Sequence, residues 1–430
     1  MTKRNFNIAR IPQTNYLIYL AKWLALSTVI GICIGSVTAF FLLSLDCVTH
    51  WRENHLWIIA FLPLGGLSIG LSYHYLGASV VRGNNLLLEE FHNPKQIIPF
   101  KMAPLVLFGT LATHLFGGSA GREGTAVQMG GAIADQFTRF FKMEHSDRKI
   151  LLVMGISAGF AAVFGTPLAG AVFALEVFAI GGIFYQAIVP ALLAAIIADH
   201  VCLAWQVQHT TYAITTIPEM SGMNLIWTLG LGIGFGLTAL FFSKTVHFFG
   251  HLFRKRIAYP PLRPFIGGVV IAFSVWTMDT TDYIGLGIPM ISESFLQQMP
   301  WYAFALKLLL TTFTLGAGFK GGEVTPLFFI GATLGSACFG FVPLPVALLA
   351  GMGFVAVFSG ATNTPIACTL MGMELFGSAC GIYIGLACVL AYLFSGHTGI
   401  YSSQIIGNPK HLFYARFQGK QLEDLQNKDH

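Results

Sequence analysis

The sequence predicts an all-α membrane protein that crosses the bilayer many times, and three observations carry that prediction. Hydrophobic residues make up 55% of the 430-residue chain and charged residues only 10%, with a mean hydropathy of +0.68. A soluble domain carries about 25% charged residues, so this chain lacks the surface charge that water demands. Apolar stretches recur along its whole length, and most show no solvated face. Finally, its 48 glycines suit membrane helices, in which glycine is more frequent than in soluble ones.

Taken in order, the apolar stretches run over 16–45, 57–78, 103–117, 125–140, 150–164, 168–205, 223–250, 264–278, 303–316, 326–358 and 366–395. A straight span needs about 20 residues; some of these are longer, and several are short and broken by glycine or proline. Short, broken segments are expected where helix ends meet a site inside the membrane, because irregular backbone is tolerated there only around a cavity. The first stretch is too long for a cleaved signal peptide. No soluble domain is expected after residue 405, so residues 1–430 read as one membrane domain.

The net charge of +5 is not a nucleic-acid signal. Lys3, Arg4 and Arg10 precede the first stretch; Arg254, Lys255, Arg256 and Arg263 form the largest basic loop; Lys410, Arg416 and Lys420 follow the last stretch. Cytoplasmic loops concentrate Lys and Arg, which places all three regions, and hence both termini, in the cytoplasm of a bacterial-type inner or plasma membrane. The seven cysteines are scattered singly with no CxxC pair and read as small hydrophobes. Thirteen histidines form no metal-ligand spacing, Lys320 sits in no phosphate-binding motif, and no cofactor is expected. Asp199 and His200 end an apolar run, at the water boundary.

The chain also repeats itself. Gly165-Thr166-Pro167, with Glu176 nine residues after the proline, matches Asn363-Thr364-Pro365 with Glu374. Upstream, Gly121-Arg122-Glu123-Gly124-Thr125 matches Gly321-Gly322-Glu323-Val324-Thr325, and Gly83-Asn84-Asn85 lies near the offset of Gly285-Leu286-Gly287-Ile288-Pro289. The offsets are 200, 198 and 202 residues. Three motifs in one order at nearly one offset indicate two repeats, approximately 16–210 and 220–405. Inverted repeats with matching broken helices mark a transporter whose site lies at the repeat interface.

Gly117-Gly118-Ser119-Ala120-Gly121-Arg122-Glu123-Gly124-Thr125 is the most informative stretch. Glycines let the backbone turn tightly and approach a ligand, and an apolar helix follows. A helix that begins inside the membrane points free N–H groups and a positive dipole at whatever precedes it, which suits an anion. Glu123 is then a carboxylate where an anion would sit: ionised it competes, protonated it leaves. Pairing with Arg122 is the simpler structural alternative, but ionisable groups inside a membrane are by default functional.

At this point the chain resembles the CLC family of anion channels and transporters. Gly-Arg-Glu-Gly at a broken helix start resembles the family's gating-glutamate signature. The likeness extends through Gly-Thr-Pro-Leu-Ala-Gly at 165–170, Gly321-Gly322 with Pro326, Asn-Thr-Pro at 363–365 and a late Tyr401. It implies the CLC fold of two inverted repeats of tilted and broken helices, a homodimer with one pore per subunit, and an anion held by helix N-termini, hydroxyls and backbone amides. By the same likeness Tyr401 stands where the family has an inner-gate tyrosine; an interfacial aromatic is its simpler reading.

Departures from the family pattern point to a branch. Where the family usually places Gly-Ser-Gly-Ile-Pro, this chain has Gly83, Asn84 and Asn85, and Thr125 replaces the proline after Gly124. Glu323 takes a position that is normally aliphatic, ahead of Val324 and Thr325, whose amides are expected to line the anion path. Together these resemble the fluoride-exporting branch. Proton exchangers of the family carry an inner proton glutamate just after the position of Glu176; here that residue is Val177. The resemblance therefore implies Glu323 as the substitute proton carrier, with a tie to Lys320 as the alternative, and Glu176 and Glu374 as residues that join helices. The expected function is fluoride export in exchange for protons. A passive chloride channel, or a chloride/proton exchanger with rewired carriers, is the alternative, and an enzyme has no support.

Overall fold

The computed structural model describes residues 12–426, so Lys3, Arg4 and Arg10 lie outside the described residues. The first half contains α1 (Pro12–Asn54), α2 (Leu62–Tyr75), α3 (Asn84–His92), α4 (Met102–Leu115), α5 (Glu123–Phe140), α6 (His145–Phe164), α7 (Pro167–Glu176) and α8 (Ile188–Ala204). The second contains α9 (Gly222–Arg256), α10 (Leu262–Met278), α11 (Ile288–Ser294), α12 (Ala303–Gly316), α13 (Val324–Ala337), α14 (Val346–Thr362), α15 (Pro365–Phe376) and α16 (Gly381–Phe394). A last short helix, α17 (Leu422–Gln426), closes the described chain. Strands β1 (Ala179–Ile180) and β2 (Ile405–Ile406) pair in parallel and pin the C-terminal segment to the end of the first half.

Among the described residues, four segments are long and apolar enough to cross a membrane by themselves: Tyr16–Asn54, Leu56–Tyr75, Tyr185–Ala204 and Gly222–Arg256. Their outward faces and those of the shorter helices expose large apolar side chains, among them Phe40, Phe241, Trp276 and Leu309. The protein is an integral, multi-pass membrane protein, and these faces suit lipid.

Helix breaks follow from local chemistry. Helix α6 ends on Gly165 at φ +70°, and Pro167 then opens α7. Helix α14 ends on Asn363 at φ +61°, and Pro365 opens α15. A left-handed residue terminates the first helix of each pair, and proline at the first helical position forfeits no hydrogen bond. Asn363 tolerates its backbone because its amide donates to Thr398 O and Gln404 Oε1, both at 2.9 Å. Three apolar runs divide where the sequence reading kept them whole. Residues 168–205 break between α7 and α8, 326–358 break at Pro343 and Pro345, and 366–395 break at Gly377, whose φ is +97°. Hydropathy cannot see these breaks because the connecting residues are themselves apolar.

The two halves pack alike. Helices α5 and α6 meet at Gly130 and Gly155, and α13 and α14 meet at Gly331 and Gly353. A β-carbon on Gly130 would lie 2.2 Å from the Gly155 carbonyl oxygen, and one on Gly331 would lie 2.0 Å from that of Gly353. Only glycine permits this approach, the usual device for packing helices where no hydrophobic effect drives them together. Between the halves, Glu176 at the end of α7 accepts from the Ile366 and Ala367 amides at 3.3 and 2.9 Å. Glu374 near the end of α15 accepts from the Leu168 and Ala169 amides at 2.9 and 2.7 Å. Each carboxylate thus satisfies the orphan donors at the other broken helix's N-terminus, as the helix-joining reading of both glutamates expects.

Candidate functional site

The site forms where the N-termini of α5 and α13 meet. Gly121 and Gly322 exchange backbone hydrogen bonds of 2.6 and 2.7 Å, which sets the two helix starts side by side. A second strap joins the preceding loops: Gly285 N–H donates to Gly118 O at 3.0 Å, and the Ser119 hydroxyl donates to Tyr283 O at 3.0 Å. Repeat motifs about 200 residues apart in sequence are therefore direct neighbours in space.

Glu123, the first residue of α5, is fully buried, and its carboxylate reaches across to α13. Oε2 accepts from the Thr325 and Arg122 amides, each at 3.1 Å, and Oε1 accepts from the Thr325 hydroxyl. The Arg122 guanidinium lies 3.7 Å from Oε1, and its buried Nε has no hydrogen-bond partner. Thr325, rather than Arg122, is the principal partner of Glu123. The carboxylate is the one anion at this seat, held by an amide and a hydroxyl at a helix N-terminus, the donors an inorganic anion would use. Pro326 lies in the first turn of α13, where its missing N–H costs nothing, and Val324 is buried beside it. The Thr125 hydroxyl instead bonds that of Thr110 at 2.6 Å, anchoring α5 to α4.

On the other side of α5, Asn84, Gly124 and Glu323 converge. A β-carbon at Gly124 would lie 3.1 Å from Asn84 Nδ2, 3.1 Å from the Gly322 α-carbon and 3.7 Å from Glu323 Oε2. Residue 124 must leave this space clear. Asn84 Oδ1 and Glu323 Oε2 are both buried with no hydrogen-bond partner among the described residues, a combination that costs free energy unless a ligand, proton or water completes it. Lys320 lies within electrostatic reach of Glu323 but makes no direct ion pair with it among the described residues: its ammonium lies 3.4 Å from Val81 O and 4.1 Å above the Tyr73 ring.

Tyr401 is 4% exposed, so it is no interfacial aromatic, and it lies within electrostatic reach of Glu323 and Glu123. Its loop is held by Gln404, whose amide donates to Val177 O and Thr362 O, both at 2.8 Å. The Asn85 Oδ1 accepts from Ser403 N–H at 3.1 Å, so this side-chain oxygen serves the Tyr401 loop, while Asn84 Nδ2 and Glu323 Oε2 both lie beside Gly124. Gly83, at φ +56°, turns the chain into α3 under the Gln128 side chain, which would lie 3.1 Å from a β-carbon there. Gln128 is a polar residue of the site that the motif reading missed; its spacing of four residues from Gly124 on one helix face was the available signal.

Phenylalanines wall the Glu123 side. Phe328, one turn after Thr325, stacks on Phe354 at 4.0 Å, and the Phe164 ring lies 5.3 Å from that of Phe328. A cavity on that side is lined by Arg122, Glu123, His209, Tyr212, Thr325 and Phe328. His209 Nε2 stands 3.9 Å from Asp199 Oδ1. Asp199 is buried, so the water-boundary reading fits only His200, which is exposed; the 205–221 segment folds back over Asp199.

Paired, broken helices that meet N-terminus to N-terminus around a buried carboxylate define a membrane protein of anion-path architecture. The chain belongs to the voltage gated chloride channel family, whose profile matches residues 65–396; this is a family of transporters and channels rather than enzymes. It is 52% identical over 408 residues to a chloride/fluoride channel protein of Pseudomonas syringae pv. tomato, covering 94% of this chain and 90% of that one. It is 27% identical over 392 residues to an H(+)/Cl(-) exchange transporter of Vibrio vulnificus, covering 82% and 81%. Among solved structures, a CLC-type fluoride/proton antiporter superposes with a TM-score of 0.87 at 35% identity, over 90% of this chain and 98% of that one. A slow cyanobacterial Cl-/H+ antiporter superposes with a TM-score of 0.75 at 20% identity, over 87% and 94%, a likeness of fold.

Proposed function

We propose that the protein is a secondary antiporter that exports fluoride in exchange for protons. The observation that carries this reading is the seat of Glu123: its carboxylate fills the α13 N-terminus, on the same Thr325 amide and hydroxyl that would hold a transported anion. Anion and ionised carboxylate exclude one another there. Protonation removes the carboxylate's charge and its claim on those donors, so proton uptake by Glu123 opens the seat to fluoride. Names of two relatives support the choice of ion: the Pseudomonas chloride/fluoride channel protein and the fluoride/proton antiporter.

Glu323 is the second proton carrier in this reading. Its buried, unpartnered oxygen faces Asn84 across Gly124. Protonated, it donates to fluoride; ionised, it repels an incoming anion. Asn84 supplies an amide donor for a small, strongly hydrated ion, Tyr401 closes the inner end, and Gly83 and Asn85 shape the two loops. The protein works in the bilayer as a homodimer with both termini cytoplasmic, in a bacterial-type inner or plasma membrane, and consists of one membrane domain with repeat halves near 16–210 and 220–405. A second reading, a passive chloride channel, is favoured by Val177, a buried side chain that holds no proton where family exchangers have a glutamate. Liposomes loaded with fluoride or chloride and a pH dye separate them: antiport acidifies the lumen as fluoride leaves, and a channel passes chloride with no proton movement.

A further inference from the structure

A buried cation stands behind this site, outside every motif described so far. Lys307, in the middle of apolar α12, is fully buried. Its ammonium donates to the carbonyl oxygens of Gly285, Tyr283 and Ile284 at 2.7, 3.2 and 3.5 Å. Three acceptors match the three N–H bonds of a charged ammonium; a neutral amine has only two. Among the described residues no carboxylate pairs with it. Arg52, at the end of α1, approaches the same Gly285 and is also buried, donating to His114 O at 3.0 Å. Its acidic neighbour is the largely exposed Glu53, at 3.4 Å. The His114 ring in turn reaches Gly121 O at 3.5 Å, one residue before Arg122 and Glu123.

Unpaired charge inside a membrane protein is expensive and marks function. A loop staple does not require charge, because a neutral amide also donates to carbonyls, though with two N–H bonds instead of three. The position of Lys307 supplies the reason: its ammonium lies 5.1 Å from the Phe329 ring, on α13 four residues after Thr325. Four residues of helix rise about 6 Å, which places the ammonium on the order of 10 Å from the anion seat.

We propose that Lys307, reinforced by Arg52, is a fixed counter-charge of the anion path: a positioning residue that raises anion affinity at the Thr325 seat through its field, without touching the ion. The inference rests on the reading that a transported anion takes the place of the Glu123 carboxylate. At that separation and an effective dielectric of about 20, one unit charge changes anion affinity on the order of tenfold. A field of one point charge does not distinguish anions of equal charge, so fluoride and chloride lose affinity by the same factor.

The test uses Glu123→Ala protein, in which the competing carboxylate is gone, with fluoride and chloride titrated calorimetrically. Adding Lys307→Gln, which keeps donors and removes charge, weakens both anions about tenfold with an unchanged melting temperature, and Lys307→Arg restores most of the loss. Lys22→Gln, removing an exposed cation that pairs with Asp147, changes nothing. Arg52→Gln gives a smaller loss in the same direction and decides the matter should Lys307→Gln fail to fold. Undiminished affinity in whichever of the two neutral variants folds overturns the proposal. Absence of fluoride binding in Glu123→Ala itself instead overturns the seat on which it rests.

Discussion

Thr325→Val is the sharpest perturbation of the proposed anion seat, because valine keeps the shape and the backbone amide and exchanges only the hydroxyl for a methyl group. Glu123 accepts two hydrogen bonds from Thr325, the amide at 3.1 Å and the hydroxyl. A hydrogen bond to a charged group contributes about 1.5–3 kcal/mol, so its loss weakens an anion in the seat by about tenfold or more. The wild-type response is smaller, because fluoride must displace an ionised carboxylate that leans on the same hydroxyl. Both competitors lose a similar amount, and the difference between them nearly cancels. In the Glu123→Ala background no carboxylate competes, and the whole loss appears. Calorimetric fluoride titration of the four proteins in this cycle therefore gives a large Thr325→Val effect without Glu123 and a small one with it. Equal losses in both backgrounds would mean that carboxylate and anion do not share Thr325, and the seat model would be wrong.

Three further outcomes follow from the same geometry. Glu323→Gln retains a donor and loses the exchangeable proton, so it binds fluoride but does not couple transport; lumen acidification in proportion to fluoride efflux would return the search to another carboxylate. Asn84→Ser replaces the amide that lies beside Gly124 with a shorter hydroxyl and narrows the preference for fluoride over chloride by about 1–3 kcal/mol, read as the ratio of initial efflux rates; an unmoved ratio rules out the asparagine account. Glu176→Gln loses charge-assisted bonds to the Ile366 and Ala367 amides and destabilises the protein by about 1.5–3 kcal/mol, seen as a lower melting temperature with coupling intact; lost coupling at unchanged stability would place Glu176 in the proton path.

How much of this was legible in the sequence divides by range. The helix breaks at Gly165-Thr166-Pro167 and Asn363-Thr364-Pro365 are local events, since a left-handed residue and a proline act on their own backbone. Their spacing therefore revealed the repeat. The meeting of Glu123 with Thr325 was half legible: the matching motifs named both helix starts, but only the fold, with the Gly121–Gly322 bridge and the Thr325 bonds to Glu123, shows that one carboxylate reaches the other helix. The tie of Asn85 Oδ1 to the Tyr401 loop was not legible, because its partner, Ser403, is 318 residues away. The sequence reading assigned Lys307 no role, since its acceptors are backbone carbonyls, which every residue possesses. Charge in an apolar run was the signal available, and it indicates burial without indicating what the charge faces.

The central claim is tested most directly by the purified wild-type protein in liposomes loaded with fluoride, with an electrode outside and a pH dye inside. Antiport predicts that fluoride efflux acidifies the lumen in fixed proportion, that an imposed inward proton gradient drives fluoride out against its own gradient, and that Glu123→Gln abolishes both. Rapid fluoride or chloride efflux with no change in lumen pH, in the wild type as in Glu123→Gln, would contradict it.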